Sequence, residues 1–490
     1  MSRLSDLAFE ARVAARSVAD YVGGTGLRLG VTGLSRAGKT VFIAALVQNL
    51  TRGGRLPVLR VHAEERLTGA RLEPQPDDAV PRFAFEEHLA ALTGGAEGAA
   101  ARRWPQSTKR ISELRLTVEF ARKAGWRPGP AALTIDIVDY PGEWLLDLPL
   151  LTKTYTQWSA ETLEASAVAA RAPLAAEWRG FTAALDPASP ESEDVAREAA
   201  RAFTAYLGAA RADLYALSTL SPGRFLMPGD LAGSPALTFA PLKLGEGVPI
   251  LPRTIAAMME RRYEAYKRHV VRPFFRDHFA RLDRQIVLVD VLAALNSGPA
   301  AVRDLETAMT DVLMAFRTGR TSFLATLFRP HIDKILFAAT KADHLHHTSH
   351  DRLEAILRHL TGRAIARAEG VGARIDVIAL AAVRATREAR IKHGRDVLDA
   401  IVGTPIAGES LAGETFDGAT EAAIFPGLLP ADPRAVFRGD GLVLPAADAD
   451  YRFVRFRPPV AEMGADGKPL ALPHIRLDRA LEFLLGDKLA

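Results

Sequence analysis

Cysteine is absent from the 490 residues, so the chain forms no disulfide and offers no thiolate to a metal. That fits a reducing compartment. No segment approaches the ~18–20 apolar residues needed to span a bilayer. The first residues carry mixed charge instead of the basic stretch and apolar run of a secretory signal. The expected location is cytoplasmic, with the periphery of the inner membrane as a second placement. Net charge is scarce too: 62 Lys and Arg stand against 58 Asp and Glu, leaving +4, and no nucleic-acid partner is expected. What is present is an ordinary globular balance, 48% hydrophobic and 24% charged, at a length that suits two or three domains.

Against that plain background one stretch stands out. Leu27 to Val31 reads as a short buried strand, and Gly33-Leu34-Ser35-Arg36-Ala37-Gly38-Lys39-Thr40 fits the G-x-x-x-x-G-K-[ST] phosphate-binding loop. Val41 to Leu50 then opens a buried helix. Gly33 and Gly38 allow the tight turn. The loop backbone at Ser35, Arg36 and Ala37 can face phosphate oxygens, as can the helix N-terminus at Lys39, Thr40 and Val41. Lys39 would bridge the β- and γ-phosphates, and the Thr40 hydroxyl would ligate Mg²⁺. The implied ligand is a nucleoside triphosphate.

Upstream, residues 3–22 place Leu4, Leu7, Ala11, Ala14, Val18 and Tyr21 at helical spacing with balanced charge, which suits packing on a core better than lying on lipid. Downstream, residues 51–108 lack sustained periodicity apart from a helical piece around Phe83–Leu92. The first switch is expected here, with Thr108, ahead of Ser107, as the hydroxyl reaching Mg²⁺ and the γ-phosphate. Leu133 to Asp139 alternates and ends in a carboxylate, and Asp139-x-x-Gly142 matches the D-x-x-G element. Asp139 can hold the Mg²⁺ water shell, and the Gly142 N–H can sense the γ-phosphate. Glu143 follows, where a water-orienting side chain would stand. Together with Lys39 and with Arg36, a cation that could act in cis, it is a catalytic candidate.

The runs Thr154–Leu185, Ser192–Leu217 and Thr254–Arg284 are Ala-, Leu- and Arg-rich without strand alternation, so residues 145–284 read as a helical insertion. Gln285 to Asp290 and Lys334 to Ala339 are unbroken apolar strands. The second ends in Thr340-Lys341-Ala342-Asp343, which matches [NT]-K-x-D. The Asp343 carboxylate can accept from guanine N1–H and the 2-amino group together, a pairing adenine cannot make. The Lys341 stem can lie along the base. Ala382 and Val383, after the strand Arg374–Leu380, occupy the loop whose amide would face guanine O6. His344, His346, His347 and His350 follow the motif without a fixed metal-ligand spacing.

With GLSRAGKT, DYPGEWLLDLPL, SPGRFLMPGDL, RQIVLVDVLAALNSGP and ATKAD in this order, the chain from about Leu27 onward resembles the YcjX family of bacterial P-loop GTPases. The resemblance implies GTP hydrolysis, a G-domain with a helical insertion and an association with stress responses. By motif match Gly38, Lys39, Thr40, Asp139, Gly142, Thr340, Lys341 and Asp343 carry over. The expected fold is α/β, a P-loop NTPase with a mainly parallel sheet. Its expected parts are an N-terminal helix (1–26), a first G-domain part (27–144), the helical insertion (145–284), a second G-domain part (285–402) and a small β-containing appendage (403–490) with short strands such as Leu442–Pro445 and Tyr451–Arg457. The expected cofactors are GTP or GDP with Mg²⁺. The expected partner is an effector protein the sequence does not name, membrane-associated in one reading. A nucleotide-gated scaffold with negligible turnover and an ATPase are the alternatives.

Overall fold

The computed structural model describes residues 26–33, 37–75, 77–106, 110–123, 129–212, 215, 217–245, 247, 249–315, 332–369, 373–411, 413–438 and 453–490. The expected helix at 3–22, the loop residues Leu34, Ser35 and Arg36, the switch candidates Ser107 and Thr108, and a short strand expected at Leu442–Pro445 lie outside them.

A seven-stranded sheet organises the chain: β1 (Gly26–Gly33), β2 (Leu67–Glu73), β3 (Ser112–Arg122), β4 (Gly129–Asp139), β5 (Arg284–Val289), β6 (Lys334–Ala339) and β7 (Arg374–Ala379). Their spatial order is β2-β3-β4-β1-β5-β6-β7. β4, β1, β5, β6 and β7 pair in parallel, while β2 and β3 run antiparallel at one edge. Successive side chains in a strand face opposite sides, and this sorts the sheet into two cores. Val287, Val289, Phe337 and Val377 point to one side, where the helices between β4 and β5 gather. Ile286, Leu288, Leu336 and Ile378 point to the other, against the helix Lys39–Thr51 and the helix Leu477–Leu485. The molecule is a three-layered α/β fold with a mainly parallel central sheet.

Three of the helices between β4 and β5 begin at a hydroxyl residue whose oxygen accepts from a backbone N–H of the first turn. Thr154 caps Tyr155–Ala167 in a reciprocal box with Gln157, Ser192 caps Glu193–Arg211, and Thr254 caps Ile255–Tyr266. The run Thr154–Leu185 is broken, with Pro173 between Tyr155–Ala167 and Ala176–Ala184. These helices share one continuous core with the sheet, built on stacked Trp158 and Tyr263 and on stacked Trp178 and Tyr206.

Beyond β7, a three-stranded antiparallel sheet forms from β8 (Arg387–His393), β9 (Asp396–Gly403) and, after the short pair β10 (Ser410–Leu411) and β11 (Glu414–Thr415), β12 (Ala422–Ile424). It starts at Arg387, ahead of the composition shift at residue 403, because β8 and β9 carry the charged, half-exposed pattern of a solvated hairpin instead of an apolar run. Of the stretch Tyr451–Arg457 expected as a strand, Phe456 makes one bridge, to Pro405. Among the described residues no helix is long and apolar enough to cross a membrane.

Candidate functional site

β1 delivers the chain to the C-terminal edge of the sheet, and the helix Lys39–Thr51 starts there. Two glycines are required for different reasons. A Cβ on Gly33 would stand 2.7 Å from the Leu288 carbonyl oxygen, so β1 could not lie this close to β5. Gly38 has open space around it but sits at φ 85°, left-handed backbone that side chains disfavour. With Gly38 turned in this way, Lys39 folds back and its ammonium donates to the Gly33 carbonyl at 3.2 Å. Thr40 is buried beside it.

Asp139 ends β4, buried, in register with Val31 of β1. Gly142 opens a 3₁₀ segment, Gly142–Thr152, that packs into the helical layer. Here the structure holds Glu143 apart from the expected role. Its carboxylate accepts from the Arg211 guanidinium at 2.6 Å and is almost wholly buried, away from the cavity described below. The cause is the helix Glu193–Arg211, whose last residue supplies the cation that makes this burial tolerable. The same segment is tied down by four further contacts. Asp147 accepts from the Tyr266 hydroxyl at 2.6 Å and from the Gly223 N–H at 2.7 Å. The Trp144 indole donates to the Met227 carbonyl, and the Arg224 guanidinium lies 3.1 Å from the centre of the Trp144 ring. Full burial pushes the Asp147 carboxyl up to about 6, against the hydrogen bonds from Tyr266 and Gly223 that favour its charged form.

At the far end of the site, β6 runs into Thr340, whose N–H donates to the Val289 carbonyl at 3.0 Å. Lys341 adopts φ 61°, and its ammonium pairs with Asp290. Asp343 is 4% exposed. One carboxylate oxygen accepts from the Ala385 N–H at 2.8 Å, and the Thr386 hydroxyl donates to the Asp343 carbonyl. These contacts aim the side chain from both sides of the turn.

One cavity of about 400 Å³ joins the two ends. Ala37, Gly38, Lys39, Thr40 and Val41 line it on the side of the helix Lys39–Thr51, and Thr340, Lys341, Asp343, Ala382 and Val383 on the other. Gly33, Asp139, Gly142 and Glu143 do not line it. Trp104, His344, Ile406, Arg455 and Phe456 are among the liners to which the sequence gave no part in binding. No motif marks them, and only the run of aromatics and arginines at 453–457 was a signal. The histidines after Asp343 have protein partners. His344 stands edge-on to Phe456, His350 Nε2 lies 2.8 Å from the Ala342 carbonyl, and His347 Nδ1 lies 2.7 Å from Glu388. His346, His347 and Glu388 bring ligand atoms within 4.8 Å of one another, with His347 and Glu388 already paired.

Residues 27–489 match the profile of the YcjX-like family, DUF463. Among curated proteins, the chain is similar to the Ras-like GTPase YcjX of Escherichia coli (strain K12). The two are 39% identical over 480 residues, covering 94% of this chain and 96% of that protein. It is also similar to the Ras-like GTPase YcjX of Shewanella oneidensis, 33% identical over 490 residues and 94% of each. With the profile spanning nearly the whole chain and both relatives aligned over at least 94% of their length, the chain belongs to the YcjX-like family.

Proposed function

We propose that this protein binds GTP with Mg²⁺ and hydrolyses it slowly to GDP and phosphate, its nucleotide state moving the helical block of residues 145–284. The observation that carries this reading is the single cavity shared by Lys39 and Thr40 at one end and Asp343 at the other. Both curated relatives are named GTPases, which supports it. A bound triphosphate would draw the Lys39 ammonium from the Gly33 carbonyl onto the β- and γ-phosphate oxygens. The Asp343 carboxylate would take guanine N1–H and the 2-amino group, with the amides near Ala382 and Val383 turned to O6. Thr40 and Asp139 would hold Mg²⁺, with Thr108 from the first switch. The hydroxyls and carboxylate are all oxygen donors, as that ion prefers, and the ion would neutralise charge on the phosphates.

Slow turnover follows from Glu143. While Arg211 holds its carboxylate in the helical layer, it cannot orient a water at the γ-phosphate, and Arg36 is left as the cis cation. Gly142 begins the segment that Asp147, Trp144 and Glu143 bolt to the helical block, so a γ-phosphate pulling on Gly142 would pull on that block. Phosphate release from purified protein with GTP and Mg²⁺ tests the reading, with excess ATP as competitor. Slow release unaffected by ATP is the expected result. Tight GTP binding with no release would establish the scaffold reading, which the buried Glu143–Arg211 pair favours, and competition by ATP would overturn guanine selectivity.

A further inference from the structure

The cavity has a side that neither the P-loop nor the Thr340–Asp343 loop supplies. Phe456, 1% exposed, stands edge-on to His344 with ring centres 5.3 Å apart. It is fixed by its bridge to Pro405 and by the neighbouring bond from the Ile406 N–H to the Arg455 carbonyl, 2.8 Å. The Trp104 indole N–H donates to the Phe456 carbonyl at 2.6 Å, which sets the plane of a ring that itself lines the cavity. Two more bonds join the same pair of segments. Arg102 Nε donates to the Pro458 carbonyl at 2.7 Å, and the Arg457 guanidinium donates to the carbonyls of Ala100 and Arg102. Neither Arg102 nor Arg457 lines the cavity.

We propose that residues 453–458, pinned to Trp104, form an added wall of the nucleotide's base subsite, so that the guanine ring packs against the Trp104 side of the cavity as well as meeting Asp343. This rests on the reading that the cavity takes a guanine nucleotide. The chemistry suits a purine: an aromatic ring with a fixed plane stacks on any base face, while Asp343 supplies the choice among bases.

Dissociation rates and affinities of N-methylanthraniloyl-GDP and -GTP, measured on the full chain, test the wall. Trp104→Ala should weaken both nucleotides at least fivefold, with the preference for guanine over xanthine unchanged. Arg102→Ala/Arg457→Ala, which alters no liner, should speed dissociation at least threefold. Should Trp104→Ala not fold, Trp104→Phe keeps a ring and loses the indole N–H, and should speed dissociation as the double variant does. Rates within twofold of wild type in either the Trp104 variant or the double variant overturn the proposal. Failure of the underlying reading looks different, since the wild-type chain would then bind neither nucleotide.

Discussion

At the scale of single residues, the site depends on side chains that already have a partner in the protein and would exchange it for a ligand. On the proposed reading Lys39 would exchange the Gly33 carbonyl for phosphate oxygens, so its charge would matter more than its packing. Lys39→Ala should abolish GTP binding by calorimetry with the unfolding temperature little changed; undiminished affinity would remove it from the site. Asp343 differs, because the Ala385 N–H keeps hold of one carboxylate oxygen. In Asp343→Asn the amide oxygen can keep that bond and turn the NH₂ toward the base. Guanine then loses its double acceptor, at ~1.5–3 kcal/mol for each charge-assisted bond, and xanthine gains a donor for its C2 oxygen. Competition between GTP and xanthosine triphosphate should therefore shift toward the latter, and an unchanged preference would mean another group reads the base. That Lys39 and Asp343 would share one cavity was legible beforehand because each motif is contiguous and its chemistry is local. Trp104 and Phe456 were not, because 352 residues separate the indole from the carbonyl that fixes it.

At the scale of elements, the segment Gly142–Thr152 is the joint between sheet and helices, and its least comfortable member is Asp147. Its carboxyl is raised in the folded state from 3.8 to about 6, so folding favours the protonated form. The stability this group supports is fully present below about pH 4 and lost as pH rises from 4 to 6. At ~1.4 kcal/mol per unit the loss is about 3 kcal/mol. Asp147→Asn keeps an acceptor for Tyr266 or Gly223 and has no charge to lose. Urea midpoints taken from pH 4 to 7 should fall with pH in the wild type more steeply than in the variant, and parallel curves would exclude Asp147 as the cause. The surrounding helices were readable at their starts: Thr154, Ser192 and Thr254 open the periodic runs and prove to be the caps. β2 escaped notice because an edge strand needs no fully buried face, and its Gly69, Arg71 and Glu73 dilute any alternation.

At the scale of the whole molecule, the sheet is closed on its P-loop side by the helix Leu477–Leu485. Arg284, fully buried at the start of β5, pairs with Asp333 and Asp487, and Lys334 also reaches Asp487. Those two cations hold the Asp487 carboxyl well below the usual carboxylate range. Its contribution is therefore present at neutral pH and lost as pH falls below about 4. Asp487→Ala should destabilise by about 1–2 kcal/mol, a figure kept small because the side chain is 43% exposed and Arg284 retains Asp333. Denaturant midpoints at pH 7 read the loss directly, and no change would show that packing alone holds the helix.

The register of β1 has a consequence in time as well as in space. Leu29 pairs with Arg284, so the strand carrying the P-loop gains its second neighbour only after some 250 residues have been made. The wall at Phe456 and the helix at Leu477 come later still. During synthesis residues 37–41 are thus made well before residues 453–458, and on the proposed reading a nascent chain stalled before residue 450 would present its base subsite without that wall. On the proposed reading, nucleotide loading would come late in synthesis, set by the order in which the ribosome delivers the chain's parts.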